Sequence, residues 1–391
     1  MALDECAFAA RSSPGPGFFC DTLIVGTGIT GALIAERLTR RGLDVVLIDR
    51  QQPGLGSTAA STAMLLWEID RPLSELTDLY GYERGVRCYH ASLQAMRGLE
   101  SLVTKLRVQC RMRARESLYV AAENDVRDLR TEAKLRQHAG LPSTFLDYPS
   151  LLGGYGIARE AALRSGEAAD TDPVLLTNGL LKVSMGRGAR LYRANAVDFD
   201  STSRGVLAVL EHGIEITARH LVLATGYVMP DIVRSSIQSP ASSWAIATVR
   251  QPDKLWKGGA LIWEARQNYH YARTTDDGRI IFGGEDEEVV DPDRRNALTS
   301  IKIKRLTAAL HELWPSGLLD LDYSWSGTFD TTADGLPLIG RVPGFTSIFA
   351  GYGYGGNGGT FSYMAAYLID LLIAGKTSPL LDDFAIDRRA P

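Results

Sequence analysis

The chain has 391 residues, enough for two domains and a large core without staples. With 45% hydrophobic and 23% charged residues, wholesale disorder is excluded. Lys and Arg total 42 against 46 Asp and Glu, and a net charge of −4 argues against a dedicated nucleic-acid binder. Residues 1–19 form an N-terminal extension with Asp4 and Glu5 where a signal peptide carries basic residues. A strand is expected over 21–25, then the turn GTGITG, a helix over 29–41 and a strand over 45–48. The stretch 51–62 is a Gly/Ser/Thr-rich loop, and 73–106 is helical. A strand over 117–121, a polar helix over 124–139 and a helix over 173–186 follow, the last with Pro173 in its first turn. Short strands are expected over 191–197, 206–210, 214–217 and 221–224. A separate antiparallel sheet takes 243–250, 261–264, 269–273 and 280–282, with a helix over 294–313. Strands over 335–339 and 348–350 lead through GYGYGGNGG into a closing helix over 360–374.

Four cysteines, Cys6, Cys20, Cys88 and Cys110, form no CxxC pair and have no His at ligand spacing. They are expected to be reduced thiols in a cytoplasmic protein, with no metal. The best late apolar run, 364–374, is too short to span a bilayer and carries Asp370, so no membrane span is expected.

The 39 glycines make up about a tenth of the chain, above the usual ~7%. Gly26, Gly28 and Gly31 make GxGxxG after a strand and at the mouth of a helix, and Asp49 ends the next strand 23 residues past Gly26. The first glycine permits the tight turn, the second lets backbone approach a pyrophosphate, and the third lets helix and strand pack closely. The helix start at Ile29 offers free N–H groups and a positive dipole end. Asp49 can accept from ribose hydroxyls. The motif alone leaves NAD and FAD open.

Together with this unit, PGLGSTAASTA at 53–63, LVLATGY at 221–227, DGLPLIG and FAGYGYGGNGGTFS resemble the FAD-dependent oxidoreductases of the D-amino-acid oxidase superfamily. That group includes glycine oxidase, monomeric sarcosine oxidase and γ-glutamylputrescine oxidase. The resemblance implies an α/β fold in which a Rossmann-like FAD domain is interleaved with an antiparallel substrate domain. The FAD domain would take 20–84, 145–229 and 327–391, and the cap 85–144 and 230–326. It further implies that Gly26, Thr27, Gly28, Ile29, Thr30 and Gly31 surround the pyrophosphate, and that Asp49 and Arg50 hold the adenosine ribose. Gly56, Ser57, Thr58, Ser61 and Thr62 match the loop beside the pyrophosphate and ribityl chain. Val197 sits where backbone meets adenine, and Ala224, Thr225 and Gly226 match a second backbone approach. Gly355, Gly356, Asn357, Gly358, Gly359 and Thr360 match the segment over the flavin pyrimidine edge, where a helix start favours negative charge.

Three departures from the relatives matter. No Cys lies in 323–329, and no His lies near the N-terminal loop, so FAD is expected to be noncovalent. Phe329 stands near the place of a carboxylate-forking Arg, and guanidinium is the group with that geometry. Ile281 stands in place of a Lys that aids reaction with oxygen, so the acceptor is oxygen or another electron carrier.

Candidate pocket residues are Trp67, Trp263, Tyr269, Tyr271, Phe329, Tyr352 and Tyr354, with Trp325 beside them; aromatic walls suit an amine through cation–π attraction. Arg273 is a candidate for an anionic substrate end, Glu264 and Glu68 for an ammonium, and His270 is expected on the opposite strand face. The implied reaction removes hydride from a carbon beside an amine nitrogen to flavin N5, with no obligatory acid–base pair. A hydroxy-acid dehydrogenase and an FAD-bearing subunit of a larger dehydrogenase remain open alternatives.

Overall fold

A computed structural model describes residues 11–12, 18–122, 126–233, 235–266 and 269–389. Two mixed sheets organise them. In the first, Arg11–Ser12, Arg190–Arg193, Val45–Asp49, Phe18–Val25 and Glu215–Leu223 are successive parallel neighbours. Beyond Glu215–Leu223 this sheet divides. The first half of that strand pairs antiparallel with Gly205–Leu210, which pairs with Ala196–Thr202; the second half pairs parallel with Ile348–Tyr352, which carries Leu338–Arg341 at its edge.

Strand alternation explains the two cores of this sheet. Ile24, Val45, Leu47 and Val222 face the helices Ile29–Arg40, Tyr82–Leu106, Pro173–Gly186 and Gly358–Ile373. Leu23, Val46, Ile48, Leu221 and Leu223 fill the opposite face. Burial on both sides is why these strands are unbroken apolar runs in the sequence.

The second sheet runs Leu321–Thr332, Gln238–Thr248, Ile280–Glu287, Tyr271–Thr274, Leu261–Ala265, Arg113–Ala121, Ala161–Asp170 and Met64–Leu65, with Ser143–Asp147 also on Ala161–Asp170. It is not purely antiparallel as expected: Leu261–Ala265 and Arg113–Ala121 run parallel. The helix Pro292–Leu313 packs Leu306, Leu310 and Leu313 on Trp244, Ile246 and Phe282 of one face. The intervening residues Ser243, Ala245, Trp263 and Tyr271 point the other way, into the cavity between the sheets.

Several expected elements change. The helical stretch 73–106 breaks into Leu73–Tyr80 and Tyr82–Leu106 at Gly81, whose φ of +83° suits glycine. The strand 191–197 splits, and Val197 belongs to Ala196–Thr202. The strands 214–217 and 221–224 are one, Glu215–Leu223. The polar helix is Val126–His138, and its expected first residues lie outside the described ones. Ala161–Asp170, assigned above to the FAD segment, is a strand of the second sheet. Arg11–Ser12 of the expected loose extension pairs with Tyr192–Arg193. Among the described residues no helix is long and apolar enough to cross a membrane.

Candidate active site

The parallel strands Phe18–Val25 and Glu215–Leu223 end beside each other and bring two turns together. Gly26 has φ +107°, and a Cβ there would sit 2.3 Å from the Ala224 carbonyl oxygen. A Cβ on Gly31 would lie 2.0 Å from the Gly26 oxygen, so this glycine serves helix–strand packing and does not line the cavity. Gly28 caps the helix Ile29–Arg40 with no side-chain bond of its own, so the first amides turn to other groups. Thr58 Oγ1 accepts from the Ile29 amide at 3.2 Å. The Gly/Ser/Thr stretch is not all loop: Ser57–Ala60 is one helical turn, tied to the second sheet by Ser57 Oγ donating to the Thr328 carbonyl at 2.8 Å.

Asp49 accepts from the Thr27 amide and hydroxyl through Oδ2, and from the Gln51 amide at 2.9 Å through Oδ1. Thr27 is therefore committed to Asp49 and lies outside the cavity lining. Thr360 is likewise committed: its hydroxyl donates to the Leu66 carbonyl at 2.6 Å. The other expected cofactor positions line one cavity of about 640 Å³. Asp49, Arg50 and Val197 lie at one end, where Ala194 and Asn195 join them. Gly26, Gly28, Ile29, Thr30, Gly56, Ser57, Thr58, Ser61, Thr62, Ala224, Thr225 and Gly226 follow. Gly355, Gly356, Asn357, Gly358 and Gly359, at the start of Gly358–Ile373, also line it.

The aromatic residues divide. Trp263, Tyr269, Tyr271, Trp325, Phe329, Tyr352 and Tyr354 line the cavity. Trp263 meets Tyr269 edge-on at 5.8 Å, and Tyr269 meets Tyr271 edge-on at 6.1 Å. Trp67 does not take part. It is fully buried in the first core, donates Nε1–H to the Gly166 carbonyl at 2.8 Å and packs edge-on against Tyr89. Tyr352 and Tyr354 are anchored differently: the Tyr352 hydroxyl donates to the Val233 carbonyl, whereas the Tyr354 hydroxyl is buried without a hydrogen-bond partner.

Arg273 turns away from the cavity. Its Nε donates to the Thr62 carbonyl, and its guanidinium lies beside Asp170, so it supports the loop and does not line this cavity. Glu264 also faces elsewhere. Burial raises its carboxyl, but hydrogen bonds from His270 and the Arg266 charge outweigh this and hold it below the usual range. His270 stacks on Phe282 at 5.3 Å, on the face away from Tyr271. Ile281 is buried and does not line this cavity.

Of the two carboxylates expected to meet an ammonium, Glu68 does line the cavity, and three further acids, Asp70, Asp286 and Asp330, join it unexpectedly; Arg50 at the far end is the cavity's one cationic side chain among the described residues. Burial pushes the Asp70 carboxyl up to about 6, against donors Gly356 N–H and Tyr269, with Asp286 adding repulsion. Gly356 N donates to Asp70 Oδ2 at 2.8 Å, and the Tyr269 hydroxyl donates to Oδ1 at 3.2 Å. Burial likewise raises Asp286, opposed by Ser243 and Lys302, and one of its oxygens lacks a partner. Burial pushes Asp330 up to about 6, opposed by the Gln238 side chain; it is 5% exposed, and neither carboxylate oxygen makes a well-formed hydrogen bond. Asp286 lies on the strand Ile280–Glu287, which outruns its expected end at 282. Asp70 follows the apolar run 63–67, and an acid there was the available sequence signal.

A helix start whose N-cap is a glycine with no side chain, glycines that admit no Cβ and a cavity between a parallel sheet and an aromatic wall fit a dinucleotide flavin. Residues 21–371 match the family described as FAD dependent oxidoreductase, DAO. The chain belongs to that family. It is therefore an FAD-dependent enzyme. It is 24% identical over 375 residues to γ-glutamylputrescine oxidoreductase of Escherichia coli K12, covering 91% of this chain and 84% of that protein. The fold is similar to that of glycine oxidase from Geobacillus kaustophilus, with TM-score 0.79, 20% identity and coverage of 96% of this chain and 100% of the other. It is also similar to iminodiacetate oxidase from Chelativorans sp. BNC1, with TM-score 0.74, 21% identity and coverage of 93% and 98%.

Proposed function

We propose that this enzyme oxidises the C–N bond of a small amine or amino-acid derivative, passing hydride from that carbon to N5 of bound FAD. The observation that carries this reading is the wall Trp263–Tyr269–Tyr271, lining the cavity with no cationic side chain beside it. An aromatic face attracts an ammonium-bearing substrate, and its rigid edge-on packing orients the C–H bond and excludes water. Burial and the Asp70 charge hold the Tyr269 hydroxyl well above its ordinary range, so it stays a neutral donor fixed on Asp70. A hydroxy acid would need a cation for its carboxylate, and Phe329 supplies none. The activity of the Escherichia coli relative on a putrescine derivative, as its name states, agrees with an amine.

In this reading the ADP half of FAD lies along Gly26, Gly28, Gly56 and Ala224 towards Val197, and the flavin lies by Gly355–Gly359. FAD is held noncovalently, since no Cys or His lines the cavity among the described residues. Oxygen or a separate carrier takes the electrons. The buried, unpaired Cys20, Cys88 and Cys110 suit a cytoplasmic setting.

The test is anaerobic mixing of the FAD-loaded protein with a panel of amines, amino acids and hydroxy acids. Bleaching of the flavin band by amines supports the reading. Bleaching by hydroxy acids alone would overturn it.

A further inference from the structure

We propose that the substrate is a dication, an α,ω-diamine-type molecule with no carboxylate, bound at two carboxylate–aromatic stations in the cavity. This rests on the amine reading above and names the substrate class of that site.

The first station is Asp70 with Asp286. Both charges act on Tyr269, and Asp286 acts on Tyr271, so two carboxylates flank two aromatic rings. Asp70 is fixed by Gly356 N–H and the Asn357 amide at 3.2 Å, while Asp286 retains a buried oxygen without a partner. The second station is Asp330. It lies beside Tyr352, whose phenol is pushed upward by burial and then by the Asp330 charge, and follows Phe329 in the chain. Both its oxygens are buried without a well-formed hydrogen bond, although the Gln238 side chain lies near, while it lines the cavity. Both stations are tied to one turn: Gly356 N donates to the Asp70 side chain, and Gly355 N donates to the Asp330 backbone carbonyl at 2.9 Å.

An unpaired buried carboxylate is costly, and its natural complement is a charge-assisted N–H donor. A carboxylate beside an aromatic ring offers an ammonium both a hydrogen-bond acceptor and a π face. One ammonium satisfies one station and leaves the other bare. A substrate carboxylate would add repulsion at either. Two linked ammonium groups match the pattern.

The test uses FAD-loaded protein reduced beforehand with dithionite, so that amines bind without turnover. Calorimetry compares the α,ω-diamines from propane to hexane with monoamines and ω-amino acids of equal length. The expected result is a best diamine binding about tenfold tighter than its matched monoamine, the effect of one further charge-assisted contact. The ω-amino acid binds worst. Asp330→Asn and, independently, Asp286→Asn bring the diamine to the monoamine level. Equal binding of diamines and monoamines at every length, or tightest binding of the ω-amino acid, overturns the proposal. If monoamines bleach oxidised flavin as readily as diamines, the amine reading stands and the dication does not. If diamines bind preferentially but no amine bleaches the flavin, the dication site stands and the reaction assignment fails.

Discussion

Asp49 Oδ2 holds both the Thr27 amide at 2.7 Å and the Thr27 hydroxyl at 2.8 Å, closing the glycine turn against the end of the second strand. The carboxylate thus shapes the glycine turn as well as lining the cavity. Asp49→Ala removes three hydrogen bonds to a charged group, two from Thr27 and one from the Gln51 amide, each worth roughly 1.5–3 kcal/mol, and should weaken FAD binding at least about tenfold. Thr27→Val should weaken it less, and the double variant should fall short of the sum, because one contact is lost twice. Fluorescence titration of FAD into the FAD-free protein measures all three. Unchanged affinity in Asp49→Ala would remove this role.

The glycine turn separates two kinds of damage. Gly26→Ala places a methyl 2.3 Å from the Ala224 oxygen in a backbone with φ +107°, and should lower stability by ~3 kcal/mol or more. Gly28→Val keeps an ordinary φ of −72° and presses its Cβ only on the Thr58 hydroxyl at 3.1 Å, a side-chain atom able to give way, so it should lose FAD while the FAD-free fold persists. Thermal denaturation with and without FAD distinguishes them. A yellow, FAD-retaining Gly28→Val protein would contradict the placement of the pyrophosphate.

Asp330 makes stability depend on pH. Its carboxyl is raised from about 3.8 to about 6, so between these values the folded chain binds the extra proton. The stabilising effect of that proton is full below about pH 4 and is lost as pH rises through 6. From pH 5 to pH 8 the ligand-free protein should therefore lose stability on the order of 1–2 kcal/mol at this site, and Asp330→Asn should flatten the slope. Denaturant midpoints at the two pH values test this. An unchanged slope in the variant would count against a buried, unpaired carboxylate.

Trp67 and Tyr269 should respond differently to substitution. Trp67→Phe removes the hydrogen bond to the half-buried Gly166 carbonyl, at a cost of about 1 kcal/mol, and should leave amine specificity unaltered. Tyr269→Phe frees Asp70 from its hydroxyl partner and should slow amine-driven flavin bleaching, with a smaller effect on stability. Denaturation curves beside anaerobic bleaching rates check the pair; a selective substrate effect of Trp67→Phe would reverse the assignment.

The sequence made the cofactor half legible because glycines with steric duties carry their own signature. Gly26, Gly28 and Asp49 occupy a spacing that only a tight strand–turn–helix unit explains. The second sheet was less legible. Ala161–Asp170, with the sequence AALRSGEAAD, has no β-branched residue, and its strand form comes from neighbours on both edges. Trp67 was misassigned because an aromatic near a loop resembles a pocket wall until its burial is known. Asp286 and Asp330 were missed because an acid at a strand end resembles a solvated charge; tertiary packing alone turns both towards the cavity.

The central claim is that a C–H bond beside an amine nitrogen is broken in reducing the flavin. The direct measurement is the anaerobic bleaching rate of the FAD-loaded protein with the fastest amine of the panel, deuterated either at the carbon beside nitrogen or at the next carbon. Deuterium beside nitrogen should slow bleaching severalfold, and deuterium one carbon further should leave it unchanged. Equal rates for both at saturating amine would contradict rate-setting C–H cleavage at that carbon.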